Sequence, residues 1–97
     1  MPAVVLDGYL STGHGCFPPT AITATSSKTY VNGIKVALDG DKHQPHSCGL
    51  STHAMDIRNG ISGAGKTTIE GKKPLRIGDT IGCGDTQGQG SSNTFIE

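Results

Sequence analysis

Apolar and polar residues alternate over short stretches of the chain, and turn-forming residues separate these stretches. The clearest case covers residues 27–41, where two alternating runs flank Asn32-Gly33 and the second run ends in Gly40-Asp41. An Asn-Gly pair between two such runs predicts a β-hairpin with a tight turn. No segment shows the 3.6-residue period of an amphipathic helix. The pattern therefore predicts an all-β protein built from short hairpins.

The same pattern recurs 38 residues later in the chain. Residues 27–41 align with residues 65–79, and Glu70-Gly71 takes the place of Asn32-Gly33. A match at one fixed offset is the mark of an internal repeat. We therefore expect a second hairpin within residues 65–79.

Fragments of the same unit occur at both ends of the chain. Residues 2–8 resemble the second strand of the unit, and residues 91–97 resemble its first strand. The unit is thus present three times. Its third copy is divided, with the second strand at the start of the chain and the first strand at the end. We expect a single domain, residues 1–97, with pseudo-threefold symmetry.

One interval of the repeat is longer than the other. Val31 and Ile69 are 38 residues apart, whereas Ile69 and Ile96 are 27 apart, so the first interval holds 11 extra residues. That is about the length of residues 43–53, which contain three of the four histidines and one of the three cysteines. We expect this stretch to be an insertion on a repeated β scaffold.

The composition indicates a thin core that needs reinforcement. The chain has 97 residues with 15 Gly, 5 Pro and no Trp, and a domain of this size buries only somewhat more than about 60% of its unfolded surface. Small domains often add a disulfide, a metal ion or an oligomeric partner. Three cysteines cannot all pair within one chain, and we find no signal-peptide pattern. We therefore expect a metal ion rather than a disulfide.

Charge and hydropathy argue against two classes of partner. Eight Lys and Arg balance eight Asp and Glu, and no basic cluster suggests a nucleic-acid surface. The longest apolar run, residues 3–6, is too short to span a membrane. We expect no nucleic-acid partner and no membrane span.

Residues 60–67 match the phosphate-binding pattern G-x-x-x-x-G-K-[ST] letter for letter. That loop binds phosphate only between a buried parallel strand and a helix, whereas residues 67–71 read as a strand that enters a turn. The repeat also equates Lys66 with Lys28, which follows no glycine loop. We predict that the chain binds no nucleotide.

The histidines and cysteines offer a pool of seven metal ligands. A structural site is tetrahedral, with four N or S ligands and no open position. Three imidazoles and one thiolate suit zinc or ferrous iron. The set that draws on all three units and converges at one end of the domain is His14, His46, His53 and Cys83. The reserve candidates are His43, Cys16 and Cys48.

No catalytic constellation is evident in the sequence. Cys48 lies close to His46 and suggests a thiol nucleophile with its base, but the geometry of that pair is undetermined by the sequence. A hydrolase would also need a cleft that a domain of this size is too small to build comfortably. We expect no catalytic residues, and a small metal-dependent or thiol enzyme remains the alternative.

Taken together, these motifs resemble those of PAAR-repeat proteins, over essentially the full chain. The resemblance lies in the two repeated units and in the motifs around the histidines and cysteines, which are residues 31–41 and 69–79, residues 13–19, His46-Ser47-Cys48-Gly49, His53 and Cys83-Gly84. The Pro-Ala-Ala-Arg element that names the family is degenerate, since this chain has Ile34-Lys35-Val36-Ala37 and Lys73-Pro74-Leu75-Arg76 there.

The resemblance implies a small conical β domain that caps a trimeric β-helical spike, with one tip per trimer. It implies one structural zinc or iron ion near the point, held by three histidines and one cysteine, a count that agrees with His14, His46, His53 and Cys83. It also implies the tip of a contractile phage baseplate spike of the T-even kind, located in the virion after assembly in the host cytoplasm. The tip would contact the outer membrane of a target cell transiently. A type VI secretion spike tip is the close alternative.

Overall fold

The structure is a computed structural model that describes residues 2–49 and 51–96. Short antiparallel strands pair two by two, and the pairs are β1 (Ile22–Thr23) with β4 (Lys42–His43), β2 (Tyr30–Val31) with β3 (Ile34–Lys35), β5 (His46–Cys48) with β6 (Ser51–His53), and β7 (Gly60–Ile61) with β8 (Thr80–Ile81). One 3-10 turn covers Met55–Ile57. The predicted all-β fold class is confirmed.

Two of the predicted hairpins are continuous. The strands β2 and β3 flank Asn32-Gly33, whose φ angles are +55° and +80°. In the second hairpin Ile69 pairs with Lys72 around Glu70-Gly71, whose φ angles are +53° and +83°. Positive φ at both central residues is what a type I′ turn requires. The dipeptides that predicted the turns therefore adopt the expected backbone.

The third hairpin is split between the two ends of the chain. Phe95 pairs with Ala3, and the amide of Ile96 donates to the carbonyl of Pro2 at 2.9 Å. These contacts reproduce the pairing within the other two hairpins. Glu97, the last residue of the predicted third copy, lies outside the described residues.

A closed ring of three backbone hydrogen bonds joins the three units. The amide of Val5 donates to Leu75, that of Leu75 to Ala37, and that of Ala37 to Val5, each at 2.9 Å. The three residues hold the same position in the repeat and have no solvent exposure. Hydrogen bonds that close after three equivalent steps define a pseudo-threefold axis, as the repeat predicts.

Two small clusters of buried side chains form the core. Successive side chains of a strand point to opposite sides, so Val5 belongs to one cluster while Val4 and Leu6 belong to the other. The first cluster contains Val5, Ile22, Ala24, Ala37 and Leu75, and Ile22 belongs to strand β1. The second cluster, against which the hairpins pack, contains Val4, Leu6, Val36 and Leu38.

Three loops leave this scaffold at equivalent positions and differ in length. They are residues 11–20, 43–58 and 81–85, each closed by a backbone hydrogen bond from its first residue to its last, of 3.0, 3.0 and 2.8 Å. The second loop is 11 residues longer than the third, which is the insertion that the repeat predicts. Among the described residues, no helix has the length and apolar character needed to cross a bilayer.

The core assignment is tested by truncating one side chain of the first cluster. We expect Leu75→Ala to lower the free energy of unfolding by about 2–5 kcal/mol, because a fully buried side chain is lost and a cavity remains. Ile77→Ala is the control, because Ile77 is 41% exposed, and we expect a change of about 0.5 kcal/mol or less. Urea denaturation followed by circular dichroism measures both. Equal losses would contradict the assignment.

Candidate metal centre

The three loops bring four potential metal ligands together. His14 comes from the first loop, His46 and His53 come from the second, and Cys83 comes from the third. Their ligand atoms all lie within 4.8 Å of one another. Because each loop rises from a different unit around the pseudo-threefold axis, side chains far apart in the chain meet at one point. We call these four residues the His/Cys cluster.

Strand pairing positions two of the histidines. His46 in β5 lies directly opposite His53 in β6, and directly paired residues of antiparallel strands have neighbouring side chains on the same face. The Nε2 atom of His46 is 2.9 Å from Nδ1 of His53. The inserted loop therefore forms a hairpin that supplies two adjacent ligands.

A tight turn presents His14 to the cluster. The backbone groups of His14 and Phe17 exchange hydrogen bonds of 3.1 and 2.9 Å. Gly13 precedes this turn with φ of +77°, and a Cβ there would lie 2.7 Å from the carbonyl oxygen of Phe17. Glycine is therefore required at this position. The Phe17 ring stacks on His53, with centroids 4.0 Å apart and an interplanar angle of 11°, so it covers one side of the cluster.

Three distances within the cluster are close to those between the ligands of a tetrahedral ion. The Nε2 atoms of His14 and His46 are 3.3 Å apart, and the Sγ atom of Cys83 is 3.8 Å from each of them. Bonds of about 2.0 Å to nitrogen and about 2.3 Å to sulfur place tetrahedral ligands about 3.3 Å (N to N) and about 3.5 Å (N to S) apart. Both the donor types and their spacing suit a metal ion.

Hydrogen bonds outside the cluster orient two of its members. The Nδ1 atom of His46 donates to the carbonyl of Pro18 at 3.0 Å, which leaves Nε2 as the atom that faces the cluster. The Nε atom of Arg58 donates to Sγ of Cys83 at 3.3 Å. A guanidinium at this distance complements the negative charge that a metal-bound thiolate carries.

Arg58 joins the ends of all three loops. Its Nη2 atom donates to Oδ2 of Asp85 at 2.7 Å, and both side chains are fully buried. Its Nη1 atom donates to the hydroxyl of Thr20 and to the carbonyl of Gln44. Thr20, Arg58 and Asp85 are the last residues of the three loops. One buried guanidinium therefore fastens together the loops that carry the cluster.

The surroundings lower the pKa of two of these groups. Burial opposes the ionisation of Asp85, but hydrogen bonds from Ser11, Thr86 and Thr12 and the charge of Arg58 outweigh it, so that the pKa of Asp85 lies below its usual value. Partial desolvation, and then the neighbouring His14 and His46, lower the pKa of His53. A neutral imidazole is the form that binds a metal.

His43, one of the reserve candidates, lies outside the cluster. Its side chain is fully buried, with Nδ1 2.8 Å from the carbonyl of Thr20 and Nε2 2.9 Å from Oε1 of Gln87. Burial lowers its pKa, although these hydrogen bonds and the charge of Asp85 oppose the effect. His43 is a hydrogen-bonded core residue in this structure.

The other two reserve candidates form a disulfide. Cys16 and Cys48 are bonded, with their Cα atoms 5.4 Å apart, and Cys83 is free. The expectation of a metal ion rather than a disulfide is therefore wrong on this point. Each of the two cysteines follows a cluster histidine by two residues, so the contact between the His14 turn and strand β5 also brings the cysteines together. No local sequence motif predicts that contact.

Arg58 and Asp85 are the site residues that our reading of the sequence missed. A signal for them exists, because the offsets of the repeat place Thr20, Arg58 and Asp85 at equivalent positions. Extending the repeat alignment into the loops would have paired a basic and an acidic residue around the axis.

The assignment of ligands is tested by metal content. We expect the wild-type protein to bind about one ion per chain and His53→Ala to lose most of it, because three ligands hold an ion more weakly than four. His43→Gln is the control and keeps its metal, because His43 is outside the cluster. Elemental analysis after dialysis measures both. Equal metal loss in the two variants, or a wild-type protein that folds fully without metal, would contradict the assignment.

The disulfide is tested by counting thiols in protein purified without reductant. Ellman's reagent should detect one thiol per unfolded chain before reduction and three after it, because only Cys83 is free. The matched variant Cys83→Ser should give none before reduction and two after it. Three thiols in the unreduced wild-type protein would show that Cys16 and Cys48 are not bonded.

Comparison with known proteins places these features in one family. The PAAR motif family matches residues 12–87, which is more than three quarters of the chain and includes the whole His/Cys cluster. A comparison with curated proteins gives no match. The chain belongs to the PAAR motif family.

Proposed function

We propose that this protein is the structural, metal-binding tip of a trimeric β-helical spike in a contractile phage baseplate. Membership of the PAAR motif family is consistent with a spike tip of a contractile injection system. The observation that carries the proposal is the closed ring of Val5, Ala37 and Leu75. A single chain with threefold-like symmetry can offer equivalent contacts to each of three identical partner chains.

The hairpin side of the ring is the surface proposed to meet the spike. Val31, Ile69 and Ile96 hold equivalent positions, and these half-buried side chains pack against the second core cluster. Beside them, Tyr30 is 53% exposed and Phe95 is 49% exposed. Apolar groups arranged about a threefold axis suit the end of a trimer. Hairpin edges can add backbone hydrogen bonds to the open strands of that end.

The loops rise from strands on the side of the first core cluster and form the proposed point of the tip. There the metal would be structural, because the four ligands leave no position open for a substrate or an activated water. We propose zinc or iron, which suit three imidazoles and a thiolate. Metal binding would stabilise the folded state. This stabilisation would act at the point of the tip, where the three loops must stay together under force.

The proposed action is mechanical, and the protein is not an enzyme in this proposal. Contraction of the sheath would drive the rigid tip through the outer membrane of the target cell. The tip would travel in the virion after assembly in the host cytoplasm. A type VI secretion spike would present the same threefold end, so it stands as the second candidate, and the source of the natural partner distinguishes the two.

The proposal is tested by the stoichiometry of the complex. Co-expressed with the trimeric spike protein of its own source, the protein should give a complex of one tip and three spike chains in native mass spectrometry. Tyr30→Asp should weaken binding by about tenfold or more, because a charge would be buried at the interface. Ile61→Asp is the control, because Ile61 is 50% exposed and belongs to β7, away from the hairpins. Failure to bind, or three tips per trimer, would contradict the proposal.

A further inference from the structure

The charged residues of this neutral chain are segregated along the repeat. Residues 2–4, 27–36, 65–74 and 91–97, which form the three hairpins and the segments that lead into them, carry five lysines and two glutamates, for a net charge of +3. The remaining residues carry three basic side chains and six aspartates, for a net charge of −3. The zero net charge of the chain therefore results from a basic hairpin side and an acidic remainder.

Five exposed lysines make the hairpin side basic. They are Lys28, Lys35, Lys66, Lys72 and Lys73, and we call them the hairpin lysines. The repeat offset of 38 relates Lys28 to Lys66 and Lys35 to Lys73. The split unit has no lysine at either of these positions. Two of the three units thus present the same pair of positive charges.

Ion pairing distinguishes the hairpin lysines from the other basic residues. Each of the other three forms an ion pair with an aspartate, and these pairs are Lys42 with Asp56 at 3.3 Å, Arg58 with Asp85 at 2.7 Å and Arg76 with Asp79 at 3.2 Å. Within residues 2–49 and 51–96, none of the hairpin lysines forms an ion pair. The positive charges that lack a partner among these residues are therefore all on the hairpin side.

Carboxylates near the hairpin lysines bind backbone amides instead. Glu70 accepts hydrogen bonds from the amides of Ser27 and Lys28 at 3.0 and 3.2 Å, and these bonds lower the pKa of Glu70 to about 2. Asp39, at the end of the second strand of the first unit, accepts a hydrogen bond from the amide of Ser62 at 2.7 Å. Both carboxylates therefore have partners other than a lysine side chain.

The hairpin lysines accompany the exposed aromatic residues of the same side. Lys35 lies directly opposite Tyr30 in the pair of β2 and β3, and Phe95 holds the position of Tyr30 in the split unit. Aromatic side chains at the centre and polar or charged side chains at the rim are typical of protein–protein interfaces. A surface with an excess of one charge attracts a surface of the opposite charge and speeds their association. This combination suits an acidic protein surface.

We propose that the hairpin lysines bind an acidic rim on the spike, formed by carboxylates that each of its three identical chains presents at the end that meets the tip. This inference rests on the proposed function and adds the chemistry of the partner surface. Because the spike is threefold, its carboxylates would face all three units in any docking orientation. Two of the three would then meet lysines, and the third would meet the split unit.

The association rate of the tip with the trimeric spike protein of its own source tests the inference. For the wild-type protein, we expect the rate to fall by about tenfold or more when salt is raised from about 50 mM to about 500 mM, because ions screen exposed charges. Lys35→Glu should slow association by about tenfold or more at the low salt concentration and approach the wild-type rate at the high one. Surface plasmon resonance measures these rates.

Lys42→Glu is the matched control, because it makes the same change of charge outside the hairpins. Lys42 belongs to β4, and its side chain is 44% exposed. We expect Lys42→Glu to associate at close to the wild-type rate at both salt concentrations. Circular dichroism checks that both variants are folded.

Three results would overturn the inference, and they can be told apart. A complex of one tip and three spike chains whose association ignores salt, or equal slowing by the two variants, would overturn the inference and leave the proposed function intact. No complex at any salt concentration would overturn both. Lysine-dependent binding to phosphatidylglycerol vesicles, with unchanged association with the spike, would assign the surface to a membrane. The salt dependence of the wild-type protein decides the question even if Lys35→Glu fails to fold.

Discussion

Three backbone hydrogen bonds that close on themselves hold this protein together. Val5, Ala37 and Leu75 each donate to the next unit and accept from the previous one, out of contact with water. A buried amide or carbonyl that lost its partner would destabilise the fold, because no solvent could replace it. The ring can close only while its three residues stay at the same height along the pseudo-threefold axis. The hairpins on one side and the loops on the other therefore keep threefold register.

The His/Cys cluster arises where this symmetry is broken. Three equivalent loop positions end in Thr20, Arg58 and Asp85, and only because they differ can a buried cation meet a buried carboxylate there. Burying such a pair costs desolvation energy, and the loss of either partner would leave an unpaired charge. The unequal loop lengths matter as well, since the longest loop contributes two of the four ligands.

The small core is reinforced in more than one place. The disulfide between Cys16 and Cys48 ties the His14 turn to strand β5, and the His/Cys cluster gathers the same two elements together with Cys83. The disulfide and the His/Cys cluster lie side by side because each bonded cysteine is two residues from a cluster histidine. The disulfide and the clustered side chains thus both lie in the loops, which pack fewer apolar groups than the scaffold beneath them.

The sequence by itself determined the hairpins, the threefold repeat and the four residues of the cluster, because turn chemistry and a fixed repeat offset are local or periodic signals. Asn32-Gly33 specifies its turn without any distant contact, and a repeat that occurs three times predicts three equivalent units, which the ring of Val5, Ala37 and Leu75 arranges about one axis. The tertiary structure alone decided the Cys16–Cys48 bond and the burial of His43. Each of these depends on which loop surfaces touch. The local sequence gives no signal for a contact between residues that are far apart in the chain.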